Sequence, residues 1–148
     1  MTREEDRIIR EALAILRKRI RKPDTYLSKP EAVADYLMLR LAEQPFETFG
    51  YVWLNVRHGV IKVELPFRGT IDGASVHPRE VVRDAMVCNA AAVIFVHNHP
   101  SGISDPSRAD VRITARLKSA LELIDVRVLD HLIIGAGEYT SLAERGLL

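Results

Sequence analysis

The sequence is poor in cysteine, in net charge and in long apolar runs, and each shortage limits the class of protein that it can encode. It contains a single cysteine, Cys88, which has no partner for a disulfide within the chain, as is typical of proteins in reducing compartments. The formal net charge is only +1, so the overall charge favours neither nucleic acid nor any other strongly charged partner. No apolar run is long enough to span a membrane and the N-terminus has no signal-peptide pattern, so we expect a cytoplasmic protein.

The sequence contains enough apolar residues to form one hydrophobic core. Its 148 residues match the usual size of a single domain, and 47% of them are hydrophobic. A chain of this size folds without disulfides or metal ions to hold it together. A metal site in this sequence would therefore serve chemistry rather than folding.

Two helices are predicted in the first third of the chain. Residues 2–20 carry apolar side chains at helical spacing. The basic run 17–22 ends this helix, and it either complements the helix dipole or contacts a phosphate group or a partner. Ser28 and Glu31 have the spacing of a capping box that opens a second helix, which we expect to end near Ala42.

The next segment predicts a β-hairpin. Residues 49–56 and 60–65 are rich in β-branched and aromatic side chains, and residues 57–59 supply the turn between them. Within the second strand, alternation places Glu64 on the more polar face.

The second half of the chain alternates helices with strands, which together with the hairpin indicates a single α+β or α/β domain. The predicted elements are a helix from Pro78 to about Ala90, a buried strand over 92–96, a helix from about 105 to 124, a strand over 126–134, and a short strand or turn with a last helical piece over 139–148. The predicted buried face of the first of these helices is Val81, Val82, Ala85, Met86 and Asn89.

The stretch from His97 to Asp110 carries the clearest chemical signal. His97 and His99 end a buried strand, and residues two apart in a strand project to the same side, so both imidazoles can reach one ion. Asp110 lies in the first turn of the next helix and joins them if the loop over 100–106 folds back. Two nitrogens and one carboxylate suit zinc and leave a fourth position for water, as in catalytic sites.

Each part of this pattern also has a purely structural interpretation. A His-x-His pair often occurs by chance. Ser107 and Asp110 have the spacing of a helix N-cap, or Asp105 is the cap with Pro106 at the first helical position, and residues 100–102 form only a turn. The combination directly after a buried strand favours a site, because functional groups gather at the carboxyl ends of strands.

A hydrolytic metal site also needs a base that accepts the proton of water. Glu64 is the candidate, because it lies on the polar face of its strand beside the start of a loop. A glutamate in contact with solvent is common at such a position, so the spacing alone gives this assignment little weight.

Six motifs occur in a fixed order along the chain, and together they resemble the RadC family of the JAB/MPN (JAMM) metalloprotease-like superfamily. The resemblance is dense from residue 45 to 148 and looser from residue 28. The motifs are ELPFRGT at 64–70, VHPREVV at 76–82, VHNHPSG at 96–102, PSRAD at 106–110, LDHLIIG at 129–135 and AERG at 143–146.

The resemblance implies an α+β fold of the JAB/MPN type, with a curved, mostly antiparallel mixed sheet flanked by helices in three layers. This domain is expected over residues 25–148, after an N-terminal helical arm over 1–24. Longer members of the family carry a helix-hairpin-helix-like domain where this sequence has only the arm. The family's historical link to DNA repair therefore depends here on the basic run 17–22 alone.

The resemblance also implies the roles of five residues. One zinc ion per chain is expected on His97, His99 and Asp110, with Glu64 as general acid/base and Ser107 as a hydrogen-bond donor to the tetrahedral oxyanion. Active members of the superfamily hydrolyse amides, often an isopeptide bond to a ubiquitin-like protein, so the expected substrate is a peptide or protein.

Two other functions stay open at this point. A DNA-binding or DNA-processing protein would show binding that weakens steeply with salt. A non-catalytic JAB module would bind a partner without hydrolysis, although the presence of the complete ligand set argues against it.

The remaining chemistry-bearing residues are assigned structural roles. His58 in its turn and His77 before its helix are predicted to lie at the surface. His131, in an apolar strand, is predicted to be a satisfied core histidine, with orientation of a metal ligand as the alternative. Cys88 is predicted to be a small buried hydrophobic residue, and Asn98 to make a structural hydrogen bond.

Overall fold

The computed structural model describes residues 2–21, 30–42, 44–69 and 76–148, so the predicted cap at Ser28 lies outside the described residues. Within these ranges no helix combines the length and the apolarity that crossing a membrane requires. The described elements are α1 (Arg3–Arg21), α2 (Pro30–Leu41), β1 (Thr48–Leu54), β2 (Val60–Arg68), α3 (Pro78–Val87), β3 (Ala92–Asn98), α4 (Arg108–Glu122), β4 (Arg127–Ile134) and β5 (Tyr139–Ser141).

The five strands form one open mixed sheet in the order β2-β1-β3-β4-β5. The β1–β2, β1–β3 and β4–β5 pairs are antiparallel, and the β3–β4 pair is parallel. A parallel pair needs a crossover connection, which α4 supplies between β3 and β4. The predicted α+β fold with a mostly antiparallel mixed sheet is confirmed.

The sheet is the middle of three layers because its central strands carry apolar residues at nearly every position. In β3, Ile94 and Val96 pack into a cluster with α1 and α2, whereas Val93 and Phe95 pack into a cluster with α3 and α4. We call the second side the α4 face. His97 follows Phe95 by two residues, so the same alternation directs it to the α4 face.

Several boundaries differ from the predictions, and β2 for example continues to Arg68 instead of ending at Leu65. β1 ends at Leu54 because the side chain of Asn55 accepts hydrogen bonds from two backbone N–H groups of the turn, which leaves Val56 84% exposed. α3 ends at Val87, and Asn89 adopts a left-handed conformation (φ 51°) that terminates helices. The predicted last helical piece after β5 is a series of hydrogen-bonded turns, in which Gly146 has a φ of 68°.

The predicted buried face of α3 was too wide. Val81 and Ala85, four residues apart, are buried, but Met86 is 64% exposed and Asn89 is exposed as well. Residues at i and i+4 share a narrow stripe on a helix, and Met86 lies about 100° away from Ala85 around the axis.

Truncation of Leu117 in α4 tests the α4 face. Leu117 is fully buried, so we expect Leu117→Ala to lower the free energy of unfolding by about 2–5 kcal/mol, measured by denaturant titration. Leu123→Ala is the matched control, since Leu123 at the end of the same helix is 86% exposed and should change stability by less than about 0.5 kcal/mol. Equal losses for the two variants would contradict the observed orientation of α4.

Candidate metal centre

The end of β3 positions the two histidines. His97 is fully buried, and the backbone N–H of His99 donates to the carbonyl of Ile134 (2.9 Å), which holds the chain against the end of β4. A turn follows, in which the N–H of Gly102 (φ 85°) donates to the carbonyl of His99. This predicted turn brings the carbonyl oxygen of Ile103 to 2.8 Å from His99 Nδ1. Because a carbonyl only accepts, Nδ1 of His99 donates to it, and Nε2 is the nitrogen left for a metal ion.

The N-terminus of α4 positions the carboxylate. Ser107 is the N-cap, and its Oγ accepts from the Asp110 N–H (3.0 Å) while its own N–H donates to Asp110 Oδ2 (2.7 Å). The capping-box interpretation is therefore confirmed, and the alternative cap at Asp105 is wrong. Asp110 is only 2% exposed. The cap thus serves the helix and also fixes the direction of the carboxylate.

The three predicted ligand residues converge on one point, because the loop over 100–106 folds back as expected. His97 Nε2 lies 3.0 Å from His99 Nε2 and 3.1 Å from Asp110 Oδ1, and His99 Nε2 lies 3.2 Å from Asp110 Oδ2. Tetrahedral ligands about 2.0–2.1 Å from zinc are separated from one another by roughly 3.3 Å. The donor atoms therefore fit one zinc ion in both chemistry and spacing.

The charges in the cluster suit a cation. Burial by itself would raise the pKa of the Asp110 carboxyl, but hydrogen bonds from His97 and His99 outweigh burial and hold that pKa well below its usual range. The hydrogen bond with Asp110 is also the main cause of the raised pKa of His99. Asp110 is thus an ionised carboxylate surrounded by imidazoles, which is the protonation state that a metal ligand requires.

A further histidine lies directly behind the cluster. His131 is fully buried, and its Nε2 lies 2.7 Å from His97 Nδ1 while its Nδ1 lies 2.6 Å from Thr114 Oγ1. Burial holds the pKa of His131 well below the usual value, so this imidazole is neutral. The interpretation of His131 as a satisfied core histidine is confirmed, and the residue also contacts the predicted ligand His97. Thr114 was missed, although its position four residues after Asp110 places both on one side of α4.

Glu64, the predicted base, lies one row of the sheet away from His97. The register of the sheet places Glu64, Tyr51 and Phe95 in one row across β2, β1 and β3, whereas Phe49 and His97 occupy the next row. The side chain of Glu64 is 21% exposed, and its carboxylate forms an ion pair with Lys62 Nζ at 2.6 Å. The role of Glu64 stays a prediction.

A second carboxylate, Glu47, lies closer to the cluster and was missed from the sequence. Phe49 pairs with His97, so continuing the same antiparallel register by two residues places Glu47 opposite His99. An independent sign of this proximity is that the negative charge of Glu47 contributes to the raised pKa of His99. The signal in the sequence was the alternation of Glu47 with Phe49 and Tyr51, which places Glu47 on the same face two residues before the predicted strand begins.

The other predicted roles are mostly confirmed. Asn98 makes structural hydrogen bonds, accepting from the Thr48 N–H (2.7 Å) and donating to a backbone carbonyl. His77 is exposed at the N-cap of α3, and His58 lies in its turn with a φ of 61°. Cys88 is only half-buried, and that burial raises the pKa of its thiol, which disfavours the reactive thiolate.

Comparisons with known proteins agree with the geometry. A family model described as a RadC-like JAB domain matches residues 27–147. Similar proteins include UPF0758 proteins from Stutzerimonas stutzeri (56% identical over 131 residues), Nitrosococcus oceani (60% over 122) and Azotobacter vinelandii (54% over 133). These matches cover 88%, 82% and 90% of this chain but only 58%, 54% and 59% of the relatives. The chain therefore spans little more than half the length of the curated relatives that it matches.

Proposed function

Because this chain belongs to the RadC family of JAB/MPN domains, we propose that it is a zinc-dependent hydrolase of the JAMM type that cleaves a peptide or isopeptide bond. The observation that carries the proposal is the convergence of two imidazole nitrogens and one carboxylate at separations of 3.0–3.2 Å. Three protein ligands with room for a fourth are typical of catalytic zinc sites rather than structural ones.

His97, His99 and Asp110 would hold the ion. When bound, zinc would polarise the scissile carbonyl and bring the pKa of a water molecule to about 7. The protein supplies the fixed geometry, since the turn after β3 orients His99 and the cap of α4 orients Asp110. Preorganised ligands of this kind avoid the reorganisation that a flexible site would need on binding the ion.

The general base is a carboxylate that accepts a proton from water and passes it to the leaving amine. The sequence nominates Glu64, but Glu47 is favoured by the register of β1 and β3, which brings it opposite His99 when continued by two residues, and by the effect of its charge on the pKa of His99. We therefore propose Glu47 as the base and keep Glu64 as the alternative. The ion pair with Lys62 supports this choice, because it already engages the carboxylate of Glu64 with a partner outside the cluster.

Ser107 is proposed to donate a hydrogen bond to the oxyanion. Its Oγ uses a lone pair to accept from the Asp110 N–H, so the hydroxyl proton remains available for donation. The proposal is supported by the exposure of Ser107 and by the contact of its Oγ with the backbone of the buried ligand Asp110. A donor directed at developing negative charge typically contributes a few kcal/mol to catalysis.

Metal removal tests the proposed function. The zinc-loaded protein is incubated with internally quenched peptides and with peptides joined through a lysine ε-amine, and cleavage is followed by fluorescence and mass spectrometry. We expect cleavage that a chelator abolishes and added zinc restores. Cleavage that persists in chelator would reject the zinc mechanism, and a zinc-loaded protein that cleaves neither class would reject the assignment as a peptidase.

A further inference from the structure

A chain of hydrogen bonds runs from His97 into the core, away from the side on which the ion would bind. His97 Nδ1 contacts His131 Nε2, His131 Nδ1 contacts Thr114 Oγ1, and Thr114 Oγ1 lies 2.6 Å from the carbonyl oxygen of Asp110. His97, His131 and Thr114 are each at most 1% exposed. Water therefore does not compete for these hydrogen bonds.

The far end of this chain fixes the direction of every proton in it. The carbonyl oxygen of Asp110 only accepts, so the Thr114 hydroxyl must donate to it. The Thr114 oxygen is then left to accept, so Nδ1 of neutral His131 carries the proton and its Nε2 bears the lone pair. His97 must consequently donate from Nδ1 to His131, which leaves Nε2, on the side where the ion would bind, as the nitrogen that can ligate it.

We propose that Thr114 and His131 are positioning residues that select the metal-binding tautomer of His97. The inference rests on the proposed function in that the selected nitrogen is the one that would ligate zinc. A ligating histidine commonly donates its other N–H to a carboxylate, a carbonyl or water. Here the acceptor is a neutral imidazole, which adds no negative charge to the site.

The surroundings of His131 keep it neutral and fixed. The rings of Phe49 and Phe95 lie edge-on to the imidazole, with centroid separations of 5.6 and 5.9 Å. These apolar neighbours offer neither ring nitrogen a competing partner, so the contacts with His97 and Thr114 alone decide which nitrogen carries the proton. His99 is oriented by a different contact, its hydrogen bond to the backbone carbonyl of Ile103, so the orientations of the two histidine ligands are fixed independently.

The test compares zinc affinity among variants of Thr114. Thr114→Val keeps the shape of the side chain but removes the hydroxyl. His131 is then free to carry its proton on Nε2 instead of Nδ1, and this proton would face the Nδ1–H of His97. We expect zinc binding, measured by competition with a chromophoric chelator, to weaken about 10–100-fold. Thr114→Ser keeps the hydroxyl and should restore the affinity of the unaltered protein.

Thr140→Val is the matched control for loss of a buried hydroxyl. Thr140 is 6% exposed and its Oγ1 lies 2.8 Å from Ser104 Oγ, so this variant should lose stability without losing zinc affinity. The proposal is overturned if Thr114→Val binds zinc as tightly as the unaltered protein, or if Thr140→Val weakens zinc binding equally.

A second measurement keeps the proposal testable if Thr114→Val fails to fold. Nitrogen-15 NMR of the unaltered protein should show His131 protonated at Nδ1, and protonation at Nε2 would overturn the inference. If the unaltered protein binds no zinc, the proposed function fails, and the tautomer of His131 then decides the inference by itself.

Discussion

Replacement of Asp110 by asparagine is expected to weaken zinc binding by more than about 100-fold and to abolish hydrolysis. Loss of a residue that only orients a ligand costs about 10–100-fold in metal affinity, and Asp110 is a proposed ligand that supplies the only negative charge among the three. Asparagine retains an oxygen that can accept from the Ser107 N–H, so the helix cap is kept. Zinc content after dialysis and cleavage of the peptide panel measure the two effects.

Asp105→Asn is the matched control for this change in charge. Asp105 lies in the same loop region, but its side chain is 73% exposed and contacts Arg145 at 3.3 Å. An exposed ion pair of this kind contributes little, so zinc affinity and activity should stay unchanged. Full zinc retention by Asp110→Asn would show that Asp110 is not a ligand and that its contacts with His97 and His99 are structural hydrogen bonds.

Replacement of Glu47 by glutamine is expected to reduce kcat by about 10²–10⁴-fold while zinc remains bound. Glutamine has nearly the shape of glutamate but cannot accept the proton of water at neutral pH. The measurement pairs kcat on a cleaved peptide with zinc content, because loss of the metal would otherwise produce the same loss of activity.

Glu64→Gln is the companion variant, and it distinguishes the two candidate bases. Glu64 lies one row of the sheet away from His97 and pairs with Lys62, so this change should leave kcat within a few-fold of the unaltered protein. A severe loss of activity in Glu64→Gln with retention in Glu47→Gln would restore the assignment made from the sequence. Severe loss in both would mean that the two carboxylates act together.

The elements themselves were largely predictable, because they depend on local patterns. The central strand β3 was evident from its continuous apolar run, and α4 from an apolar stripe at helical spacing. The errors occurred where one side chain decided a boundary. Asn55 ended β1 early, and the left-handed Asn89 ended α3. Met86 is exposed because it lies outside the narrow stripe that Val81 and Ala85 share.

The ligand set was also predictable, since His97, His99 and Asp110 lie within fourteen residues on consecutive elements. A strand, a turn and a helix cap suffice to bring them together. The residues behind and beside them were harder to assign. His131 contacts His97 because β3 and β4 pair in parallel. Glu47 comes opposite His99 when the antiparallel register of β1 and β3 is continued by two residues.

The sequence by itself therefore determined the class of fold, the family resemblance and the three groups that could hold an ion. These follow from local periodicity and from motifs whose residues are close in the chain. Only the tertiary structure decided how those groups are supported, because strand register aligns residues dozens of positions apart. The register of β1 and β3, continued by two residues, brings Glu47 rather than Glu64 opposite His99, and the pairing of β3 with β4 sets neutral His131, held by Thr114, behind His97.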